Sequence, residues 1–283
     1  DTDRTVTFGE FKRQVDRLAA GLKRAGIQAG DRIGVVGKNS LNFFRIYGAA
    51  AALGAIVLPV NWRLSGAEVA FNLNDGTPSI VFADAEFADM IADIDDQLPS
   101  VERFVNLTQA GPFDPMDALM NDEAFCGPSV AADTGLVIIH TAAVAGRPRG
   151  ALVSHANLLC ASLHLNYCFS LSPADVHLNL LPLFHVAGLF MAVTAFHAGA
   201  LNVNMAKFDA DTAVDLIQHR KVSLLFDFSP ILGAILDAQA NSGADISSLR
   251  AVMGLDAPET IERYQKVTGG CFFNMYGQTE TPC

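Results

Sequence analysis

Apolar positions along this chain alternate between two periods. From Phe8 they recur at helical spacing through Phe11, Val15, Leu18, Ala19 and Leu22. Thr7 and Glu10 stand ahead of them as a capping box, and Gly26 follows as a stop. Ile33–Val36 is short and continuously apolar, which predicts a buried strand. Asn39 or Ser40 can cap a second helix reaching about Leu53. Ala55–Pro59 reads as the next strand, Ser65 with Glu68 as another capping box, and Ile80–Ala83 as a third strand. Such β-α-β alternation predicts a parallel sheet with helices on its faces.

From Asp84 to Asp133 the pattern weakens into an acidic, proline-punctuated arm with one strand at Phe104–Leu107. A new series opens at Leu136–His140. It continues with Val176–Leu180, Ala200–Asn204, Ser223–Phe226, Ala251–Met253 and Phe272–Met275. The expected fold class is therefore α/β, with two packed, mostly parallel sheet units and helices on both faces. Residues 1–120 form the first unit with its arm, 121–283 the second, and the boundary falls within 108–135. No internal repeat is visible.

Composition narrows the function. Half of the 283 residues are hydrophobic and 17% are charged, as in a buried-sheet enzyme. The net charge of −11 argues against a nucleic-acid partner, which requires a basic footprint. An anionic small molecule would have to be held by local dipoles and a few cations. Cys126, Cys160, Cys168, Cys271 and Cys283 are scattered and form no C-x-x-C pair, so a reducing, cytoplasmic setting is the simple expectation. The apolar run Ile46–Val60 is shorter than the roughly 20 residues of a membrane span. No leader pattern opens the chain, so neither a signal peptide nor an integral membrane segment is expected.

Four segments carry candidate chemistry. His140–Gly150 follows a strand and precedes a helix expected near His155. Its small residues would let backbone N–H groups converge on a phosphate, with Arg149 as cation. It lacks the G-x-x-x-x-G-K-[ST] spacing, and by itself it suits an ordinary surface turn. Tyr276-Gly277-Gln278-Thr279-Glu280 offers a flat ring to a purine, and a hydroxyl and carboxylate to phosphate and Mg²⁺. Leu181–Gly188 places His185 in an apolar run, where a satisfied core histidine is the commoner outcome. Leu249–Pro258 ends a strand with a Gly/Pro bend, as many β-α loops do.

Taken together, and in this order, the segments resemble those of the acyl-adenylate-forming superfamily of acyl-CoA synthetases, firefly luciferase and adenylation domains. That family's phosphate loop, [Y/F]-T-S-G-T-T-G-x-P-K-G, is matched at Thr141, Gly146, Pro148 and Gly150. Phe184-His185 with Gly188 resembles its acyl-pocket segment, and Asp256-Ala257-Pro258 lies where its adenine-contacting G-A-P lies. Tyr276–Glu280 matches Y-G-x-T-E in full. Asp31–Val35 and Val60–Leu64 with Glu68 resemble two earlier family segments, so the likeness spans nearly the whole chain.

The resemblance implies a two-step acid–thiol ligase. A carboxylic acid, fatty or aryl, is activated by ATP as acyl-AMP and passed to coenzyme A. It assigns Thr141, Gly146, Arg149 and Gly150 to the phosphates, and Asp256, Ala257, Tyr276 and Gly277 to the adenine side. Thr279 falls to phosphate or substrate carboxylate and Glu280 to Mg²⁺, which makes Arg149, Thr279 and Glu280 the catalytic set. His185, Gly188 and Phe228 would line the acyl pocket. A homodimer is a further expectation.

The departures matter. Ala142, Ala143, Val144 and Ala145 stand where the family has Ser, Gly and two Thr, Arg149 replaces a lysine, and Asp256 replaces a glycine. The altered loop should be mobile without nucleotide. It also supports the alternative of a non-catalytic acyl- or nucleotide-binding relative. Family members continue past Y-G-x-T-E into a hinge and a C-terminal domain with a catalytic lysine, so the chain as given is expected to catalyse little alone.

Overall fold

The computed structural model describes residues 4–141 and 146–280. It forms two compact units, Arg4–Asn157 and a second from Leu158 onward. The first opens with helix α1 (Phe8–Arg24), whose capping box is made as the sequence predicts. Thr7 Oγ1 accepts from the Glu10 N–H at 3.2 Å, and the Glu10 carboxylate accepts from the Thr7 N–H at 2.8 Å. Strand β1 (Arg32–Val36) follows, then α2 (Leu41–Leu53), where Ser40 rather than Asn39 caps the first turn by accepting from the Phe43 N–H. Next come β2 (Ile56–Val60), α3 (Gly66–Gly76) behind the Ser65–Glu68 capping box, β3 (Ile80–Ala83) and the short α4 (Ala88–Ala92). The arm contributes β4 (Arg103–Asn106) and the two-residue β5 (Asp114–Pro115). Strands β6 (Gly135–His140) and β7 (Gly150–Ser154) complete a seven-stranded sheet of order β5-β4-β3-β1-β2-β6-β7.

All pairings in this sheet are parallel except β6 with β7. The chain steps from β1 to β2 in one direction and from β2 to β3 in the other. Right-handed crossovers then place α2 and α3 on opposite faces. The strands between are buried on both sides, with Ile33, Val35, Val57, Leu58, Val81 and Phe82 inaccessible.

The division lies further along the chain than a boundary near residue 120. Strand β6 adds to β2 through the Val57–Val137 register, so Gly135–Ser154 belongs to the first sheet. Without it, β2 would present an unpaired row of N–H and C=O groups. The stretch Gly150–Ser154, to which the sequence pattern assigns no strand, is one because β6 supplies its partner, and helix follows from His155 as expected.

Helix α5 (His155–Phe169) leads into the second unit. There β8 (Val176–Asn179), α6 (Val186–His197), β9 (Leu201–Asn204), α7 (Ala210–Arg220), β10 (Leu224–Phe228), α8 (Ile231–Ser242), β11 (Ala251–Leu255), α9 (Pro258–Thr268) and β12 (Cys271–Asn274) alternate strictly. The five strands are parallel in the order β12-β11-β10-β8-β9. The step from β8 to β9 runs opposite to the later steps, which places α6 on one face and α7, α8 and α9 on the other. Leu178, Leu224, Leu225, Val252, Met253, Leu232, Ile235 and Tyr264 form its core. Both sheets thus carry helices on each face, as expected of the α/β class.

Candidate functional site

In the first unit the candidate phosphate loop is the tip of the β6–β7 hairpin, not a strand-to-helix turn. His140 pairs with Gly150 in register. Beyond that pair the Thr141 N–H donates to the Arg149 carbonyl at 2.9 Å, and the Arg149 N–H donates to Thr141 Oγ1 at 3.4 Å. These two bonds close the mouth of the loop. They also engage the Thr141 backbone N–H within the hairpin, leaving its hydroxyl proton as the donor that side chain can offer. Arg149 is exposed, so its guanidinium faces solvent. Gly146 sits at φ +99° with no other described residue near where a side chain would be, and Gly150 packs close to Ile138. Ala142, Ala143, Val144 and Ala145, with the expected mobility of that stretch, lie outside the described residues.

One anchor of this hairpin escapes sequence reading. His140 Nε2 lies 2.9 Å from Asp75 Oδ2 on α3, and the histidine side chain is 6% exposed. The contact ties the last residue of β6, immediately before the loop, to a helix 65 positions earlier. Neither residue stands in a recognisable pattern, so no signal in the sequence pairs them.

In the second unit the remaining candidates gather at the carboxyl edge of the parallel sheet, where open α/β sheets bind their ligands. Phe228 is the last residue of β10, Asp256 and Ala257 follow β11, and Tyr276 comes two residues after β12. His185 caps α6, its Nδ1 accepting from the Ala187 N–H at 3.2 Å. Its ring meets Phe228 edge to face, with centroids 6.0 Å apart. His185 is exposed at a helix start rather than buried in the core. Gly188 is buried, and a Cβ there would fall 2.3 Å from the Pro182 carbonyl oxygen, so its smallness lets α6 pack onto the preceding chain.

The Tyr276 ring is 90% exposed, while the adjacent Met275 packs on the core and donates its N–H to the Gly254 carbonyl. The ring is thereby held out at the sheet edge by a firmly seated neighbour. Gly277 and Glu280 are exposed, and Thr279 is half-buried. Asp256 Oδ1 accepts from the Ala257 N–H at 2.7 Å, which fixes the turn into α9.

Beside Asp256 lies a carboxyl group not anticipated from the sequence. Asp227, on β10, is fully buried, and its Oδ1 accepts from the Leu232 N–H at 2.9 Å. Its Oδ2 and that of Asp256 are both buried without a donor among the described residues. Burial raises the Asp227 pKa, the Leu232 N–H opposes this, and the Asp256 charge adds to the rise. The result is about 7. Gly254 permits the approach: at φ +146° it sits where a Cβ would fall 1.8 Å from the Asp227 carbonyl oxygen. The one available signal was an aspartate inside the apolar run Leu224–Phe228.

Among the described residues no group of three or more His, Cys, Asp or Glu side chains could hold a metal ion. Glu280 is a single exposed carboxylate. Such a group fits Mg²⁺ only in the manner usual for that ion, with phosphate oxygens and waters as the other ligands.

Two mainly parallel sheets flanked by helices place the chain in the class of N-terminal domains of adenylate-forming enzymes. The chain belongs to the AMP-binding enzyme family, whose model matches residues 1–283. It is 32% identical over 285 residues to an indoleacetate–CoA ligase of Aromatoleum aromaticum, covering 99% of this chain and 56% of that protein. It is 29% identical to a feruloyl-CoA synthase of an Amycolatopsis species, covering 97% of this chain and 54% of that protein. Among solved structures it superimposes on a Rhodopseudomonas palustris protein designated a long-chain-fatty-acid CoA ligase. The TM-score is 0.93 at 43% identity, covering 98% of this chain and 70% of that one. The N-terminal domain of Mycobacterium tuberculosis FACL13 gives 0.90 at 26% identity, covering 99% and 70%. The chain spans about half the length of the curated relatives it matches.

Proposed function

We propose that the protein is an ATP-dependent acid–thiol ligase acting on an apolar carboxylic acid, fatty or aryl. In the first step an oxygen of the substrate carboxylate attacks the α-phosphorus of ATP, and pyrophosphate leaves with the electrons of the broken P–O bond. In the second, the coenzyme A sulfur attacks the acyl carbon and AMP leaves. Such chemistry needs positioning and charge neutralisation more than a covalent protein catalyst. Arg149 and the hairpin backbone would serve the β- and γ-phosphates. Tyr276, Asp256 and Ala257 would serve the adenine, and Thr279 the reacting phosphate or carboxylate. Glu280 is the residue to hold Mg²⁺, which supplies counter-charge to the phosphates when bound.

The observation that carries this reading is the convergence of four separated segments on one sheet edge, ending at His185, Phe228, Asp256–Ala257 and Tyr276. The perpendicular His185 and Phe228 rings favour a flat aryl group, in keeping with relatives named for indoleacetate and ferulate. The test is AMP and thioester formation by the full-length protein across a panel of aryl and fatty acids. Turnover with aryl acids above fatty acids is expected. Nucleotide binding without ATP–pyrophosphate exchange on any acid would overturn the ligase reading in favour of a non-catalytic relative. Glu280→Gln should cut exchange by orders of magnitude at an unchanged melting temperature, since an amide is a poor Mg²⁺ ligand.

A further inference from the structure

A second cluster of cations lies in the first unit, in a cleft of about 230 Å³ lined by Arg4, Gln14, Arg17, Arg45, Asp117 and Met120. None of these residues belongs to the candidate segments above. Arg45, on α2, is 4% exposed. Its Nε and Nη2 donate to Gln14 Oε1 at 2.9 and 2.6 Å, and its Nη1 donates to Asn42 Oδ1 at 2.5 Å. Both acceptors are neutral amides. A guanidinium this buried is ordinarily paired with a carboxylate, because two amide dipoles do not repay the loss of water around a full charge. Burial depresses the Arg45 pKa, the nearby positive charge of Arg4 depresses it further, and Asp117 only partly offsets them.

The other charges around the cleft are mostly committed elsewhere. Arg17 is ion-paired with Asp122 at 2.5 Å. Asp117 accepts from Gln109 Nε2 at 2.7 Å, and the Glu10 carboxylate is engaged by the Thr7 cap. Arg4 is exposed and takes part in no ion pair among the described residues. Three guanidinium groups thus face one cleft carboxylate, in a chain whose overall charge is −11. The cleft is smaller than the roughly 300–1,000 Å³ typical of sites for drug-sized ligands. It has room for a compact tetrahedral anion.

We propose that this cleft binds a phosphate-class oxyanion, with the buried Arg45 and the exposed Arg4 as its cations. Arg45 uses three of its N–H donors on Gln14 and Asn42. The remaining two of its five can form a forked pair to anion oxygens, as guanidinium groups do with phosphate. Arg4 supplies the second charge from the solvent side. The site is independent of the ligase reading and uses none of its residues.

The experiment is calorimetric titration of the 283-residue chain with inorganic phosphate and, separately, with ADP, in chloride buffer. Saturable binding of phosphate is expected, weakened about tenfold or more by Arg4→Ala and by Arg45→Gln. Arg149→Ala should leave it unchanged. Tighter binding of ADP than of phosphate, equally sensitive to Arg4→Ala, would support the site with the phosphoryl group of a larger molecule as its ligand. Binding that survives Arg4→Ala and Arg45→Gln but falls with Arg149→Ala would place the anion on the β6–β7 hairpin and overturn the proposal. So would the absence of any phosphate or ADP binding. Arg4 is exposed, so Arg4→Ala carries the test should Arg45→Gln fail to fold.

Discussion

Asp227 carries the largest conflict between charge and surroundings at the sheet edge. Its folded pKa of about 7 stands well above the unfolded value near 3.8, so the folded state holds a proton that the unfolded chain has released. Its contribution to stability is complete below pH 3.8 and is lost as pH rises through about 7. A shift of that size corresponds to at most about 4 kcal/mol. Asp227→Asn should remove the dependence: denaturation midpoints of the wild type should fall between mildly acidic and mildly alkaline buffer, and those of the variant should stay level. Parallel curves would show that Asp227 is ionised at neutral pH. Arg149 is predicted to matter to nucleotide and not to folding. Its side chain is exposed, and Arg149 joins the hairpin closure through its backbone N–H and carbonyl only. In the full-length protein Arg149→Ala should raise the KM for ATP about tenfold or more at constant melting temperature, which steady-state kinetics would check.

At the scale of elements, the amino edge of the second sheet is tied by one ionic cluster. Asp175, just before β8, accepts from Arg250 Nε at 2.8 Å, from its Nη2 at 3.0 Å, and from Ser223 Oγ at 2.7 Å. The three residues stand at the starts of β8, β11 and β10, so the cluster fixes strand starts as the ladder fixes strand lengths. Desolvation opposes ionisation of Asp175, but the Arg250, Ser223 and Ser172 hydrogen bonds outweigh it and hold the pKa at about 2. Its stabilisation is therefore present above the unfolded value of 3.8 and lost as pH falls through about 2. Arg250→Ala would strand a carboxylate that is 7% exposed, and should cost about 2 kcal/mol after allowance for the half-exposed arginine. Urea unfolding at neutral pH measures it, and an unchanged midpoint would refute the cluster's role.

Elements of this kind differ in how readily the sequence reveals them. The boxes at Thr7–Glu10 and Ser65–Glu68 could be read because each is complete within four residues. The apolar strands β1, β2 and β3 could be read because burial on both faces leaves a continuous run. Strand β7 could not, since Gly150–Ser154 is a short run bounded by Gly and Ser and becomes a strand only by pairing with β6. The His140–Asp75 and Asp227–Asp256 contacts were hidden for the same reason: they join residues that only the folded sheet brings together. Tyr276–Glu280 was legible as a motif, yet only the sheet order shows that it shares an edge with His185 and Phe228.

For the molecule as a whole, recognition of anions has to be local. A net charge of −11 repels polyanions at long range, and screening at physiological salt confines any attraction to within about 8 Å of a cation. The chain should therefore pass through a heparin column unretained at physiological ionic strength. Retention would mean that a basic face, rather than isolated arginines, governs binding. Among the described residues no helix is long and apolar enough to cross a membrane.

The closed mouth of the β6–β7 hairpin has a consequence for how the family's signature loop can vary. The ends of the loop are held together by the Thr141–Arg149 bonds and the His140–Gly150 register, so the entropy of bringing them together is already spent by the sheet. The described bonds that close the loop all lie outside positions 142–145, so exchanging the residues there leaves each of those bonds its donor and acceptor. Grafting Ser, Gly, Thr and Thr there should alter the affinity for nucleotide while the strands on either side keep their register.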